Sequence, residues 1–391
     1  MKFLGLRKLG ACALFGAMLS GFFVTQDRAA DDKVTLVKID KTTGNPEVVA
    51  GRIRKESTEV ISVEIRDPRT SAAIIRDFRP AEVASIEWGL DDSSYAAEWR
   101  SGMRSFDSGK YDKAAQDFKT IIDDKDAMDK FRTEAKPYLF YLHAESLFRA
   151  QKTAEAITAL DEFIKNCRTS TYASLAMGSL VDACIQTGKF DQAQSLLNDM
   201  NRLGGEQAAL AKYYNGKLLR AKKQPAEAAK KFAEAAVASS VPSTHGMALM
   251  GEAACAVDQN NPALAREKAQ QALASNPPSS VAAAAHLVIG DALLSEIEAQ
   301  KPVGDALKNK LVDAVLEYMR IVAQYPGDRN TEPKAYYKAG ETLLTLAKKF
   351  PQERGFDAQR AVVLFSKLRD EPRFQGTEWV AKATQALSRI R

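Results

Sequence analysis

The side chains of this 391-residue chain that could do chemistry are three histidines, four cysteines and many carboxylates. His143, His245 and His286 lie 102 and 41 residues apart, each in or beside a stretch of helical periodicity. Metal centres and acid–base machinery draw such groups from short, patterned spacings, such as two histidines one helical turn apart with a glutamate between them. No HExxH pair, CxxC pair, GxSxG elbow or phosphate-binding Gly-Lys loop occurs. Beyond the first thirty residues the cysteines are Cys167, Cys184 and Cys255. Their odd number and unequal spacing fit small buried hydrophobes inside helices, not a disulfide framework. The carboxylates fall along helical stretches, where they serve as solvated faces. The chain therefore reads as a non-enzyme with no catalytic residue, no metal site and no cofactor.

Bulk charge excludes a further class. The formal charge is +5, and Lys2, Arg7, Lys8 and Arg28 against Asp27 place +3 of it in residues 1–30, leaving +2 for the rest. A body this close to neutral points to no nucleic acid or other polyanion. The early charges have another use. "MKFLGLRKLGACALFGAMLSGFFVTQDRAADD" sets a basic stretch before an uncharged, largely apolar run over residues 9–24. That is the layout of a secretory signal peptide, so residues 1–30 are expected to direct export to the periplasm or cell envelope. The alternative is an uncleaved anchor formed by residues 9–24, short for the ~20 residues of a span, which would be the chain's only link to a membrane.

Residues 31–90 alternate in polarity. In "EVISVEIRD", Ile61, Val63 and Ile65 share one face while Ser62, Glu64 and Arg66 share the other. Similar runs at 34–39, 48–54, 73–78 and 83–88, separated by "TTGNP" and "DPRT", predict five short antiparallel strands. The order "AGRIRKES", "VISVEI", "RPAEVASIEW" resembles the small Sm-like or SH3-like barrels at the front of some exported bacterial proteins, which implies a closed β-barrel here. Arg52, Arg54, Lys55, Arg66, Arg69, Arg76 and Arg79 interleave with Glu47, Glu56, Glu59, Glu64 and Asp67, the pattern of a mixed solvated surface and not of an RNA-binding face.

From Tyr95 the period becomes helical. In "WRSGMRSFDSGKYDKAAQDFKTI", Gly102 and Ala114 are small where two helices would cross, Tyr111 and Phe118 fill the space beside them, and Gly109 releases the turn. This stretch resembles the tetratricopeptide repeat. Alanines equivalent to Ala114 recur at Ala156, Ala193, Ala228, Ala265, Ala314 and Ala361, spaced by 42, 37, 35, 37, 49 and 47 residues. The turn aromatic of Tyr111 and Phe190 gives way to Thr153, Pro225 and Pro262 in three units. The expected fold is mainly α: a solenoid of about seven helical hairpins over residues 91–376, with residues 377–391 as a capping helix. Each repeat buries its apolar face against its neighbours, so the array is expected to fold without the barrel.

The resemblance implies a non-catalytic interaction scaffold that binds a protein or peptide in a concave groove lined by the first helix of each repeat. An envelope-assembly or cell-division accessory protein, or a peptidoglycan- or glycan-associated binding module, are the alternatives. One family position in that groove lies three residues before the small residue of the helix contact. Here it carries Trp99, Tyr141, Tyr213 and Tyr337 in four of seven repeats, and one turn later come Met103, Glu145, Asp182, Lys217 and Glu341. Rigid aromatic anchors beside charges of both signs have the composition of a binding hot spot.

Overall fold

The computed structural model describes residues 31–39, 45–67, 69–328 and 331–390. The segment 1–30, read as a signal peptide or anchor, lies outside the described residues, as does most of the turn at 42–46.

Five strands form where the alternation placed them: β1 (Asp32–Ile39), β2 (Pro46–Glu56), β3 (Ile61–Arg66), β4 (Ala73–Phe78) and β5 (Val83–Glu87). They pair antiparallel in the order β4-β3-β2-β1-β5. The expected barrel is not closed, because β4 and β5 stand as the two edges of an open sheet. A sheet closes on itself when nothing else covers its apolar face, and here helices do. Val34, Ile53, Ile61 and Val63 share one continuous core with Trp88, Trp99, Phe118, Phe131 and Leu139.

A buried ion pair fixes this junction. Asp32 has no exposed surface, and its carboxylate accepts from Arg132 Nη1 at 2.7 and 2.9 Å. The backbone N–H groups of Ile53 and Gly89 donate to the same carboxylate at 2.7 and 2.8 Å. Arg132 donates in turn to the Ile53 carbonyl at 2.9 Å and lies 5.5 Å from the Trp88 ring. A charge withdrawn from water is thus met by a guanidinium and two backbone donors, the condition for tolerating it.

The helices follow as hairpins: α1 (Ala96–Asp107) with α2 (Tyr111–Asp123), a short α3 (Lys125–Lys130), then α4 (Lys136–Arg149) with α5 (Thr153–Asn166), and α6 (Ala173–Gln186) with α7 (Phe190–Leu203). Next come α8 (Gly205–Ala221) with α9 (Pro225–Ala238), α10 (Pro242–Asp258) with α11 (Pro262–Ala274), and α12 (Ser279–Gln300) with α13 (Gly304–Gln324). The last hairpin is α14 (Glu332–Lys349) with α15 (Ala358–Asp370), and α16 (Glu378–Ile390) ends the stack. Thr153, Pro225 and Pro262 open α5, α9 and α11, and a proline is well placed at a first helical position, where its missing N–H has no partner to lose.

The register read from the sequence is the register of the packing. Ala114, Ala156, Ala193, Ala228, Ala265, Ala314 and Ala361 are all fully buried. A Cβ added to Gly102, Gly216, Gly290 or Gly340 would stand 2.6, 2.8, 2.6 and 2.5 Å from ring carbons of Phe118, Phe232, Tyr318 and Phe365. The aromatic of one helix therefore occupies the space a side chain on its partner would need. This is a tetratricopeptide solenoid. First helices touch the first helices of the next repeat from α4 through α12, whereas second helices make no comparable contact among the described residues. The first helices thus crowd the inner, concave face and the second helices splay on the outer one. Among the described residues α12 is long and apolar enough to cross a membrane by length and composition, and half of its apolar window is buried inside the array.

Candidate functional site

A hollow of about 880 Å3 lies between α8, α10 and α12. Its apolar wall includes Tyr213, Phe232, Met247, Met250 and Val281, and its charged rim is Lys217, Arg220, Lys223 and Asp258. The hollow exists because α10 is built from small residues: Gly251 lets Phe232 lie flat beneath it, where a Cβ would meet the ring at 2.3 Å, and Ala254 leaves the wall unfilled. Methionines on such a wall can repack around side chains of different shape.

Of the residues predicted for the groove, Tyr213 and Lys217 meet in this cavity. Tyr213 is half-buried, its ring 5.6 Å from Phe232, and burial raises its phenol above the usual range. Lys217 Nζ lies 5.8 Å from the Tyr213 ring centre and 2.5 Å from Asp182. Burial pushes the Asp182 carboxyl up, with Lys217 opposing the shift. Across the cavity Arg220 holds Asp258 at 2.5 Å, and this hydrogen bond draws the Asp258 carboxyl below its ordinary value.

The other predicted residues are spread among packing positions and a second hollow. Trp99 is only 6% exposed, with its ring 5.8 Å from both Phe118 and Phe131. Met103 packs against the same core. Tyr141 stacks on Tyr172 at 5.6 Å, and Glu145 is buried, accepting from Arg149 and Ser179 at 2.7 Å each. Tyr337 and Glu341 line a separate hollow of about 520 Å3 between α12 and α14, where Tyr337 lies 5.6 Å from the α16 residue Trp379. Of the predicted charges, Asp182 and Lys217 thus pair with each other between repeats, and Glu145 pairs with Arg149 of its own helix. Met247, Arg220 and Val281 were missed because they lie off the family position; their one trace in the sequence is the low-bulk run "GMALMGEAACAV" that creates the hollow.

The histidines are dispersed. His143 Nδ1 donates to the Ala115 carbonyl at 3.0 Å and burial lowers its pKa, while His286 pairs with Glu317 at 2.7 Å. Among the described residues no cluster of three or more His, Cys, Asp or Glu is arranged to hold a metal ion.

Residues 253–329 match the family model for the tetratricopeptide repeat. No curated protein matches the chain. Among solved structures, PilW, a widely conserved type IV pilus biogenesis factor, is 16% identical with a TM-score of 0.43, over 63% of this chain and 98% of that one. A tetratricopeptide repeat protein from Parabacteroides merdae is 15% identical with a TM-score of 0.41, over 75% and 98%. Human IFIT1, solved as a dimer with m7Gppp-AAAA, is 13% identical with a TM-score of 0.39, over 77% and 74%.

Proposed function

We propose that this chain is a non-catalytic scaffold of the cell envelope that holds a partner protein or peptide in the concave groove, centred on the cavity between α8, α10 and α12. The observation that carries the reading is that cavity: about 880 Å3 of concave space with an apolar wall and a charged rim, formed where the repeats are least bulky. Apolar, partly enclosed surface with a few placed charges is what binding a peptide side chain requires. Nucleic acid is disfavoured, because Lys217 and Arg220 are already engaged by Asp182 and Asp258. The envelope assignment is supported by the signal-like composition of residues 1–30.

Photo-crosslinking in cells tests both parts. A crosslinker in place of Met250, on the groove, should yield a discrete adduct in envelope fractions, and one in place of the exposed Lys230 on α9 should not. An adduct from position 230 alone would move the site to the convex face, and adducts from neither would end the reading. A fusion of residues 1–35 to a reporter active only outside the cytoplasm should be active, and its silence would remove the envelope assignment.

A further inference from the structure

The sheet has two open edges, and they are built differently. At the β5 edge the ladder with β1 shifts register between Thr35 and Leu36. At the other edge β4 pairs with β3 from Ile61 opposite Phe78 to Arg66 opposite Ala73 without a shift, whereas each of the other ladders breaks register. An edge strand is ordinarily blunted by a lysine, a proline, a bulge or a covering element. Ala73–Phe78 carries neither lysine nor proline, its Arg76 is turned back on Glu47 and Phe78, and among the described residues β3 is its one strand neighbour. Ile74 and Ile75 lie 42% and 61% exposed along it. The Asp67 N–H donates to the Ala72 carbonyl at 2.9 Å, which sets the phase of the ladder. Ile74, Arg76 and Phe78 then bond to β3, and Ala73, Ile75 and Asp77 turn their N–H and C=O groups outward.

We propose that β4 pairs antiparallel with β4 of a second copy of this chain, about a two-fold axis through Ile75. The strand is complementary to itself in this register. Ile75 meets its own counterpart and Ala73 stands opposite Asp77 of the second copy, so every outward-turned residue faces another and exchanges backbone hydrogen bonds with it. A two-fold axis normal to the sheet also keeps like faces together. Ala73, Ile75 and Asp77 lie on the face of Arg66, Glu64 and Ser62, their partners on β3. That face supplies charges of both signs. Glu64 is taken by Arg54 at 2.7 Å, while among the described residues neither Arg66 nor Asp77 forms an ion pair. Strands lie about 4.8 Å apart, so Arg66, one strand behind Ala73, reaches across that small residue to Asp77 of the second copy. The pair forms twice, once on each side of the axis. Between the two pairs Ile75 covers Ile75, an apolar cross-strand contact withdrawn from water. Such an association is isologous and closes at two, whereas β4 against β5 of another copy would be heterologous and would leave further edges open. The surface lies on the sheet, apart from the concave groove.

Sedimentation velocity of the full chain purified from cells tests the pairing. A single edge contact is a small interface, so the wild type should sediment as a dimer that dissociates on dilution. Ile75→Lys puts a charge on the axis and should weaken the dimer at least about tenfold, with Tm unchanged because Ile75 is exposed. Ser85→Lys, the matching change at an exposed position of β5, should leave the dimer intact. Asp77→Arg sets like charges against Arg66 of the second copy and should weaken the dimer by about threefold or more, and Arg66→Glu added to Asp77→Arg should restore it. Pairing of β4 with itself is what brings residues 66 and 77 together between copies, so this rescue reads the interface even if Ile75→Lys unsettles the sheet. A wild type that stays monomeric overturns the inference. So does a dimer that Ser85→Lys breaks, which would bring β5 to the interface, or one that survives Ile75→Lys and Asp77→Arg alike, which would place the contact elsewhere on the chain. A monomer that takes up a strand of another protein, and loses it on Ile75→Lys, would give the edge to that protein and overturn the second copy.

Discussion

The two ends of the array are closed in different ways. At the N-terminal end the sheet lays its apolar face on α1 to α4, in one core, and is pinned by Asp32 and Arg132 across 100 residues of chain. At the C-terminal end α16 alone covers α14 and α15, with Trp379, Val380, Leu387 and Ile390 packed around Tyr336, Phe365 and Phe374. Its ion pair, Lys382 with Glu378, lies within the helix, while the turn that leads into it is tied to α14 by Arg373, which donates to the buried Glu332 carboxylate at 2.7 Å. An apolar stripe shields a repeat from water but accepts small slips. A buried charge with directional donors accepts one placement. The front of the molecule is thus a fitted joint pinned at the sheet itself, and the back an apolar cover whose charged tie, Arg373 to Glu332, lies in the turn before α16 and not in the helix that does the covering.

The largest effect is expected at the joint. Without residues 31–90, Tyr95, Trp99 and Phe131 lose their cover, so the remainder should bind a hydrophobic dye and unfold in more than one step, against the autonomy that repeat architecture implied from sequence. A single cooperative transition near the full-length Tm would restore that autonomy and dissolve the contrast. Arg132→Ala isolates the pin. It strands a fully buried carboxylate and should cost about 3–5 kcal/mol in urea unfolding followed by tryptophan fluorescence. Replacing the pair together, Asp32→Leu with Arg132→Met, should recover only part of that loss, because the Ile53 and Gly89 N–H groups lose their acceptor. A cost below about 1 kcal/mol for Arg132→Ala would show that water reaches the pair.

Removing residues 377–391 should cost less and stay local. Losing the cover over Tyr336 and Phe365 should remove on the order of 3 kcal/mol from α14 and α15, seen as faster amide exchange there and not in α1 to α4. Equal Tm and unchanged exchange would deny α16 its capping role. The shared packing rule gives a control that should treat the ends alike. Gly102→Ala and Gly340→Ala each drive a methyl to 2.6 and 2.5 Å from a ring, of Phe118 and Phe365, and each should destabilise by about 1–3 kcal/mol. A markedly smaller cost at Gly340 would show that the covered end yields where the fitted end does not.

The helical register was legible because it depends on neighbours in sequence: a small residue and a ring at fixed intervals specify a crossing whatever else the chain does. The five strands were legible for the same reason. What could not be read was pairing at long range. Nothing around Asp32 announces Arg132, so residues 31–90 read as a closed barrel when they form an open sheet completed by helices. The groove shows the same limit. The family resemblance implied a groove position for Tyr213 and Lys217 but could not tell that Glu145 is spent on Arg149 and Ser179, or Asp182 on Lys217.

The smallest expected effect concerns the turns between paired helices, where the repeats differ in residue but not in geometry. Gly109 and Gly188 sit at φ 72° and 71°, and the equivalent residues Gln151, Lys223 and Asn260 take φ 62°, 64° and 55°. In each case the following N–H donates back five residues, as Lys110 to Ser105 at 2.8 Å and Lys152 to Leu147 at 3.0 Å, closing the helix end. The left-handed conformation costs a residue with a Cβ about 1–2 kcal/mol, and glycine avoids that cost while adding about 0.5–1 kcal/mol of chain entropy to be lost on folding. The difference leaves Gln151→Gly and Lys223→Gly stabilising by about 0.5–1 kcal/mol. Asn260→Gly should gain less, because asparagine visits this region readily. Thermal unfolding of the three variants checks the order. Gln151 lies in the second hairpin, close to the fitted front, and Lys223 in the middle of the stack, so equal gains would show the turn to be a local device, independent of how each end is closed. A loss of stability at either position would mean that the side chain, and not the backbone it strains, holds that hairpin.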